Sequence, residues 1–231
     1  MNSITRLISP VTKRIALCAI ACCATALFAA EPAAKGPAGA TKKADRAPLP
    51  AIPEPNYVSI FNGKDLTGWT ERGDLKLWRA ENGVLVGQSD AKKTGSTLAT
   101  NKSYTNFILQ FDVKYLPPGD SGVTFRSPGL QVQIGTSHAN KIELTGSFTP
   151  GGAGYPDEGL AKDAWKYYFP GNWNTIRIDA VGPAFFVSIN GHRVSSYYDP
   201  RYTGAAPISV QVHQDMDMKI EFRNIQIAER P

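Results

Sequence analysis

Along residues 107–115, Phe107, Leu109, Phe111, Val113 and Tyr115 alternate with Ile108, Gln110, Asp112 and Lys114. The same period of two recurs where Ile176, Ile178 and Ala180 alternate with Arg177 and Asp179. Successive side chains on a strand point to opposite faces, so each segment carries one apolar face and one mainly polar face. That is the signature of an antiparallel sheet covered on one side, because strands of a parallel sheet buried on both faces read as continuous apolar runs. Further strands are expected at 57–61, 75–80, 84–88, 96–99, 121–127, 130–135, 141–145 and 207–213. Asn190-Gly191 predicts a hairpin between 185–189 and 192–197, since a type I′ turn needs positive φ at both central residues and these two tolerate it. In the last strand Ile220 and Phe222 share one parity and Ile225 and Ile227 the other, which predicts a β-bulge near Arg223 and Asn224.

About a dozen short strands with hardly a helix predict an all-β fold, a two-sheet antiparallel sandwich of the jelly-roll type. The closing strand, MKIEFRNIQI at 218–227, is expected to pair with material near the opening FNGKDLTGW at 61–69, which places both ends in one domain. Residues 146–172 break the pattern. They hold no sustained period, include GGAG at 151–154, and carry Tyr155, Trp165, Tyr167, Tyr168 and Phe169. Loops of this length are usually functional or disordered, and the aromatic content argues against disorder. The segment is a candidate wall or lid over a binding face; an Ω-loop packed on its own aromatics stays open.

The first 30 residues read as a signal peptide: Arg6, Lys13 and Arg14 precede an apolar run at 15–28 and the small residues Ala29 and Ala30. This predicts a secreted or periplasmic protein. The run falls short of the ~20 residues of a spanning helix, so no transmembrane segment is expected in the mature form. Cys18, Cys22 and Cys23 all lie within it, leaving the mature domain without thiol or disulfide chemistry. Acylation at Cys22 or Cys23 is the weaker alternative, because the usual Leu three residues before a lipid-bearing cysteine is missing. Residues 31–55, rich in Ala, Pro, Gly and Lys, predict an extended linker, and the domain is expected at 56–231.

A pI near 9.1 invites a nucleic-acid reading. From residue 56 onward, however, 18 Lys and Arg stand against 17 Asp and Glu. The folded part therefore carries no electrostatic footprint for nucleic acid, and no nucleic-acid partner is expected.

No phosphate-cradling glycine loop, HExxH, nucleophile elbow or cysteine pair is present, which removes nucleotide hydrolysis, zinc proteolysis and α/β-hydrolase chemistry as leading classes. His138, His192 and His213 lie far apart in sequence, and His192, after the hairpin turn, is expected in solvent. On the strand ending at His213, the polar residues Ser209, Gln211 and His213 share a face opposite Ile208, Val210 and Val212. In LQVQI, Gln131 and Gln133 lie opposite Leu130, Val132 and Ile134. If both strands line one concave sheet, that surface gathers Gln131, Gln133, Gln211 and His213, with Arg126 and Glu143 nearby. Amides, a base and a guanidinium suit sugar hydroxyls, which need several aimed hydrogen bonds; the alternative is that these faces meet only water. At least three of Arg126, Gln133, Glu143 and His213 are expected to bring their side chains within about 10 Å of a common point in one pocket. Trp69 and Trp78 read as core residues, with sugar stacking as an alternative, and Trp173 as an anchor for the strand it begins. Asp215 and Asp217 near a turn are a thin basis for a calcium site.

The chain resembles the 3-keto-disaccharide hydrolase family, through FNGKDLTGW, WRAENGVLVG at 78–87, YTNFILQFDVKYLPPGDSGVTFR at 104–126, GNWNTIRIDAVG at 171–182, INGHRV at 189–194 and the closing VQVH and IEFRNIQI. The resemblance implies a concanavalin-like jelly roll acting on a 3-keto-glycoside. A ketone at C3 acidifies the C2 hydrogen, so a base can remove it and the C1 substituent can leave. Such a site needs a base near C2 and a group to hold the enolate, not the paired carboxylates of ordinary glycosidases. His213 is then the candidate base or metal ligand, Arg126 the candidate for enolate stabilisation, and Glu143 and Asp120 further acids. Gln131, Gln133, Gln211, Tyr155 and Trp165 are candidate sugar contacts. The residues themselves call for no cofactor, and a divalent metal ion stays open. Gln131 stands where the family pattern has Glu, and Gln214 where it has Gly. A Gln cannot shuttle protons, so a carbohydrate-binding module that does not cleave remains an alternative.

Overall fold

The computed structural model describes residues 55–73 and 75–231. The expected signal peptide and nearly all of the linker, Cys18, Cys22 and Cys23 included, lie outside the described residues. In chain order the strands are β1 (Val58–Ser59), β2 (Trp69–Glu71), β3 (Trp78–Glu81), β4 (Val84–Gln88), β5 (Ser96–Tyr104), β6 (Phe107–Tyr115), β7 (Asp120–Phe125), β8 (Leu130–Gly135), β9 (Phe148–Pro150), β10 (Asn174–Val181), β11 (Ala184–Ile189), β12 (His192–Tyr198), β13 (Ala206–Val212) and β14 (Lys219–Glu229). Two 3₁₀ turns, Asp157–Gly159 and Ala164–Lys166, are the helical elements among the described residues. None is long and apolar enough to cross a membrane.

The strands make two antiparallel sheets, as the alternation predicts. One runs β12-β11-β10-β6-β14-β4-β3 with β1 on β14, and the other runs β2-β5-β13-β7-β8-β9. The closing strand does meet the opening segment, with Val58 opposite Ile227. The register of β14 against β6 shifts between Arg223 and Gln226, and Asn224 takes φ 52°, so the parity slip is a bulge. Asn190 and Gly191 take φ 49° and 84°, and their hairpin pairs Ile189 with His192.

Apolar faces of both sheets meet in one core. Phe107 packs edge-on against Phe125 at 5.6 Å between ring centres, and Phe125 and Phe148 flank Phe185 at 6.0 and 6.3 Å. Each fully buried phenylalanine contributes ~1.5–3 kcal/mol relative to exposure. Trp69 and Trp78 are core residues; the Trp69 indole donates to the Ile60 carbonyl at 2.7 Å, and Trp78 lies across Gly87, whose missing Cβ leaves room for the ring.

Three sequence expectations change. Residues 141–145 form no strand, only an isolated bridge between Thr136 and Glu143, and Lys141 takes φ 58°, which breaks an extended run. Residues 96–99 are the start of a longer strand, β5. The aperiodic segment hides an edge strand, β9, whose three residues are too few to show a period.

Candidate active site

The polar faces of the six-stranded sheet come together because two neighbouring pairings share β7. Antiparallel pairing of β7 with β8 sets Gly122 opposite Gln133 and Thr124 opposite Gln131, while β13 sets Ser209 opposite Thr124. Leu130, Val132, Val123, Ile208 and Val210 enter the core, so Gln131, Gln133 and Gln211 face the other way. Gly122 makes the arrangement possible, since a Cβ there would come within 2.4 Å of Gln131 Nε2.

On this face a cleft of about 260 Å³ is lined by Asp120, Gln131, Gln133, Tyr155, Gln211 and His213. Ser137, Asn140 and Thr149 complete its walls, with Gly152 and Gly154 on the aperiodic segment. The size lies below the ~300–1,000 Å³ typical for drug-sized ligands and suits a single sugar ring.

Gln133 is the hub. It is 1% exposed, its Nε2 donates to Asp120 Oδ1 at 2.7 Å, and its Oε1 accepts from Tyr155 Oη at 2.9 Å and from Gln131 Nε2 at 3.2 Å. Asp120 Oδ2 accepts the His138 backbone N–H at 2.6 Å, so both carboxylate oxygens are fixed. His213 Nε2 lies 3.9 Å from the same Oδ2. His213 Nδ1 is 2.6 Å from the Gln214 carbonyl, which only accepts; Nδ1 therefore carries the hydrogen and leaves the Nε2 lone pair bare in the neutral ring. The His138 ring is tilted against that of His213, 5.3 Å between centres. Burial pushes the Tyr155 phenol above its ordinary value, the Ser137 hydrogen bond opposes this, and the Asp120 charge adds to it. Tyr155 thus stays a neutral hydroxyl donor.

Three sequence candidates fall elsewhere. Arg126 is 1% exposed and its guanidinium donates to the carbonyls of Thr203 (2.9 Å), Ala180 (3.3 Å) and Gly182 (3.2 Å) and to Asn106 Oδ1 (2.9 Å). Period two would carry residue 126 onto the cleft face after Gly122 and Thr124. The strand ends at Phe125, however, and φ 59° at Arg126 turns the side chain into the end of the sandwich. Burial lowers the Arg126 pKa. Glu143 and Trp165 line a separate hollow of about 230 Å³ with Tyr168. There Glu143 Oε2 accepts from Tyr115 Oη at 2.6 Å, and Oε1 accepts from the Thr145 backbone N–H at 3.0 Å and from the Thr145 hydroxyl. Those bonds brace the loop, while Trp165 is 71% exposed. The expected convergence of Arg126, Gln133, Glu143 and His213 is thus reduced to Gln133 and His213.

His138 is the residue that sequence reasoning missed. Its only signal was position: SHAN begins two residues after the end of β8, so its loop must leave at the end of the strand that carries Gln133. His192 is exposed, as expected, and stacks on Tyr167 at 4.0 Å between ring centres. Trp173 stands next to Asn174, the first residue of β10, with the Arg223 guanidinium 4.1 Å and the Lys114 ammonium 4.7 Å from its ring centre.

The donor set does not fit a metal ion. Among the described residues no three His, Cys, Asp or Glu side chains gather as ligands. Both Asp120 oxygens and His213 Nδ1 are already hydrogen-bonded. Near Asp215, φ 64° marks a turn, and Asp217 Oδ1 accepts from the Ser89 hydroxyl at 3.4 Å.

Solved structures share the architecture. A Parabacteroides distasonis protein described as a candidate glycosyl hydrolase superposes with a TM-score of 0.58 at 24% identity, covering 76% of this chain and 94% of its own. A family 66 carbohydrate-binding module from Bacillus subtilis gives 0.52 at 19% identity, over 70% of this chain and 96% of its own. A family 16 non-specific endo-β-1,3(4)-glucanase gives 0.50 at 12% identity, over 78% and 94%. At these identities the likeness establishes the fold, one shared by glycosyl hydrolases and carbohydrate-binding modules. Comparison with functionally curated proteins finds no match. A family model does match, across residues 56–228, and those residues hold both sheets and every cleft residue named above. The chain belongs to the family of 3-keto-α-glucoside-1,2-lyase-like domains.

Proposed function

We propose that this protein eliminates the C1 substituent of a glycoside already oxidised to a ketone at C3, and that it works outside the cytoplasm as its N-terminal pattern implies. The carrying observation is that Asp120 and His213 face each other at 3.9 Å in a cleft whose other polar groups are amides, hydroxyls and a phenol. His213 Nε2 takes the C2 proton, and the Asp120 carboxylate faces the imidazolium that results. Electrons from the C2–H bond move into a C2–C3 enolate, whose oxygen takes a hydrogen bond from the Gln131 N–H that is not already given to Gln133. The enolate then forms the C1–C2 double bond as the C1–O bond breaks. The departing oxygen keeps that electron pair and takes the proton from His213. Addition of water across C1–C2 completes net hydrolysis. The test is release of the leaving group from a 3-keto-glucoside by the purified protein, with and without divalent metal. Turnover is expected, and none under either condition removes the enzyme reading.

A second reading, a carbohydrate-binding module, is favoured by Gln131 in place of a carboxylate and by the fold shared with the family 66 module. Calorimetric titration separates the two: a binder gives saturable heat and leaves the sugar intact.

A further inference from the structure

The surface around His213 is divided in two. Beyond Gln211 and His213, on the side away from Asp120, lies an open hollow of about 390 Å³, lined also by Arg72, Leu75, Ser96 and Thr97. Gln211 and His213 border both hollows, so the two adjoin across one imidazole.

Their linings differ in kind. The Asp120 side offers amides, a carboxylate and a phenol, the groups that hold sugar hydroxyls. The other side offers Leu75, 40% exposed, and the Arg72 guanidinium, the one Lys, Arg, Asp or Glu side chain of its lining among the described residues. The Arg72 backbone N–H bonds the Thr97 carbonyl, anchoring the residue, but its guanidinium has no partner among the described residues.

Elimination needs such a division. C2, which loses its proton, is bonded to C1, which loses its substituent, so a base that reaches C2 has the leaving group beside it. A ring seated against Asp120 and Gln133 with C1 turned to His213 would send its C1 substituent past the imidazole toward Arg72. We propose that the hollow at Arg72 and Leu75 is the leaving-group subsite, and that it selects glycosides whose C1 substituent carries a carboxylate on an apolar frame. The assignment rests on the elimination reading above.

The test uses the full chain with two 3-keto-glucosides of matched shape, one of 4-hydroxybenzoate and one of 4-hydroxybenzamide. Wild type is expected to show a KM about tenfold lower for the carboxylate, the size of one charge-assisted hydrogen bond, with similar kcat. Arg72→Gln is expected to erase that ratio by raising KM for the carboxylate alone; turnover of the amide serves as the control for folding. Turnover of both without preference, or a preference that survives Arg72→Gln, overturns the subsite and leaves elimination standing. No turnover of either overturns the elimination reading and the subsite with it.

Discussion

Gln133 Nε2 donates to Asp120 Oδ1 at 2.7 Å, and this bond fixes the amide so that its oxygen must face Tyr155 and Gln131. One buried side chain therefore sets the orientation of three cleft groups. Gln133→Leu keeps the volume but strands a carboxylate oxygen and a phenol, each with a desolvation penalty of ~1–3 kcal/mol. Urea denaturation should show a loss of that order, accompanied by weaker sugar binding. A Leu variant as stable as wild type would mean that water replaces the amide and that the hub is dispensable.

His213→Gln retains a hydrogen-bonding group but no base. Turnover of a 3-keto-glucoside should fall by about 10²–10⁴-fold, the usual contribution of a positioned general base. Calorimetric affinity for the same sugar should change only a few-fold, because the Gln133 hub stays intact. Undiminished turnover would move the base to another residue.

The cleft was legible wherever a side chain sits inside a strand. Alternation alone puts Gln131 and Gln133, and Gln211 with His213 one residue past the end of β13, on faces opposite the core, and β7 joins the two pairs. Arg126 was misread because its fate turns on a single positive φ, which leaves no trace in a non-glycine sequence. Glu143 was misread because a left-handed Lys141 replaces the expected strand with a loop. Trp165 lies inside the second 3₁₀ turn, Ala164–Lys166, which is too short to show a hydrophobic period. His138 and Arg72 lie on connections between elements, where position depends on tertiary packing that no local pattern encodes.

Arg126 serves the fold by tying together four oxygens at one end of the sandwich. Arg126→Met keeps much of the aliphatic stem but takes the guanidinium away from three backbone carbonyls and leaves Asn106 Oδ1 with the Gly182 N–H alone. Stability should fall by on the order of 3 kcal/mol, while kcat/KM per folded molecule stays unchanged. A variant of normal stability and reduced kcat would restore a catalytic role.

Gly135 faces Asp120 across the β7–β8 pair and takes φ 97°, and a Cβ there would lie 2.1 Å from the Gly119 carbonyl oxygen. The obstacle is backbone, so no rotamer change relieves it. Gly135→Ala should destabilise the domain by more than the ~1–3 kcal/mol of a strained φ alone, and in the surviving folded fraction it should displace Asp120. Thermal unfolding and turnover are expected to fall together. An alanine variant with wild-type Tm would show that the two strands can separate freely at that pair.

Asp199 carries the clearest pH dependence. Hydrogen bonds from the Arg201 side chain hold its carboxyl down at about 2, from an ordinary 3.8, against the opposing effect of burial; the Arg201 backbone N–H and Tyr197 Oη add to the lowering. The folded value lies below the unfolded one, so on acidification the unfolded chain takes up its proton first. The stabilisation is therefore complete above about pH 5 and drains away as pH falls toward 2. Asp199→Asn should lower Tm most at neutral pH, with the gap to wild type closing across that window. Because Arg201 is largely exposed, added salt should shrink the gap as well. A Tm difference that stays constant from pH 6 to pH 2 would mean that Asp199 acts through its hydrogen-bond geometry and not through its charge.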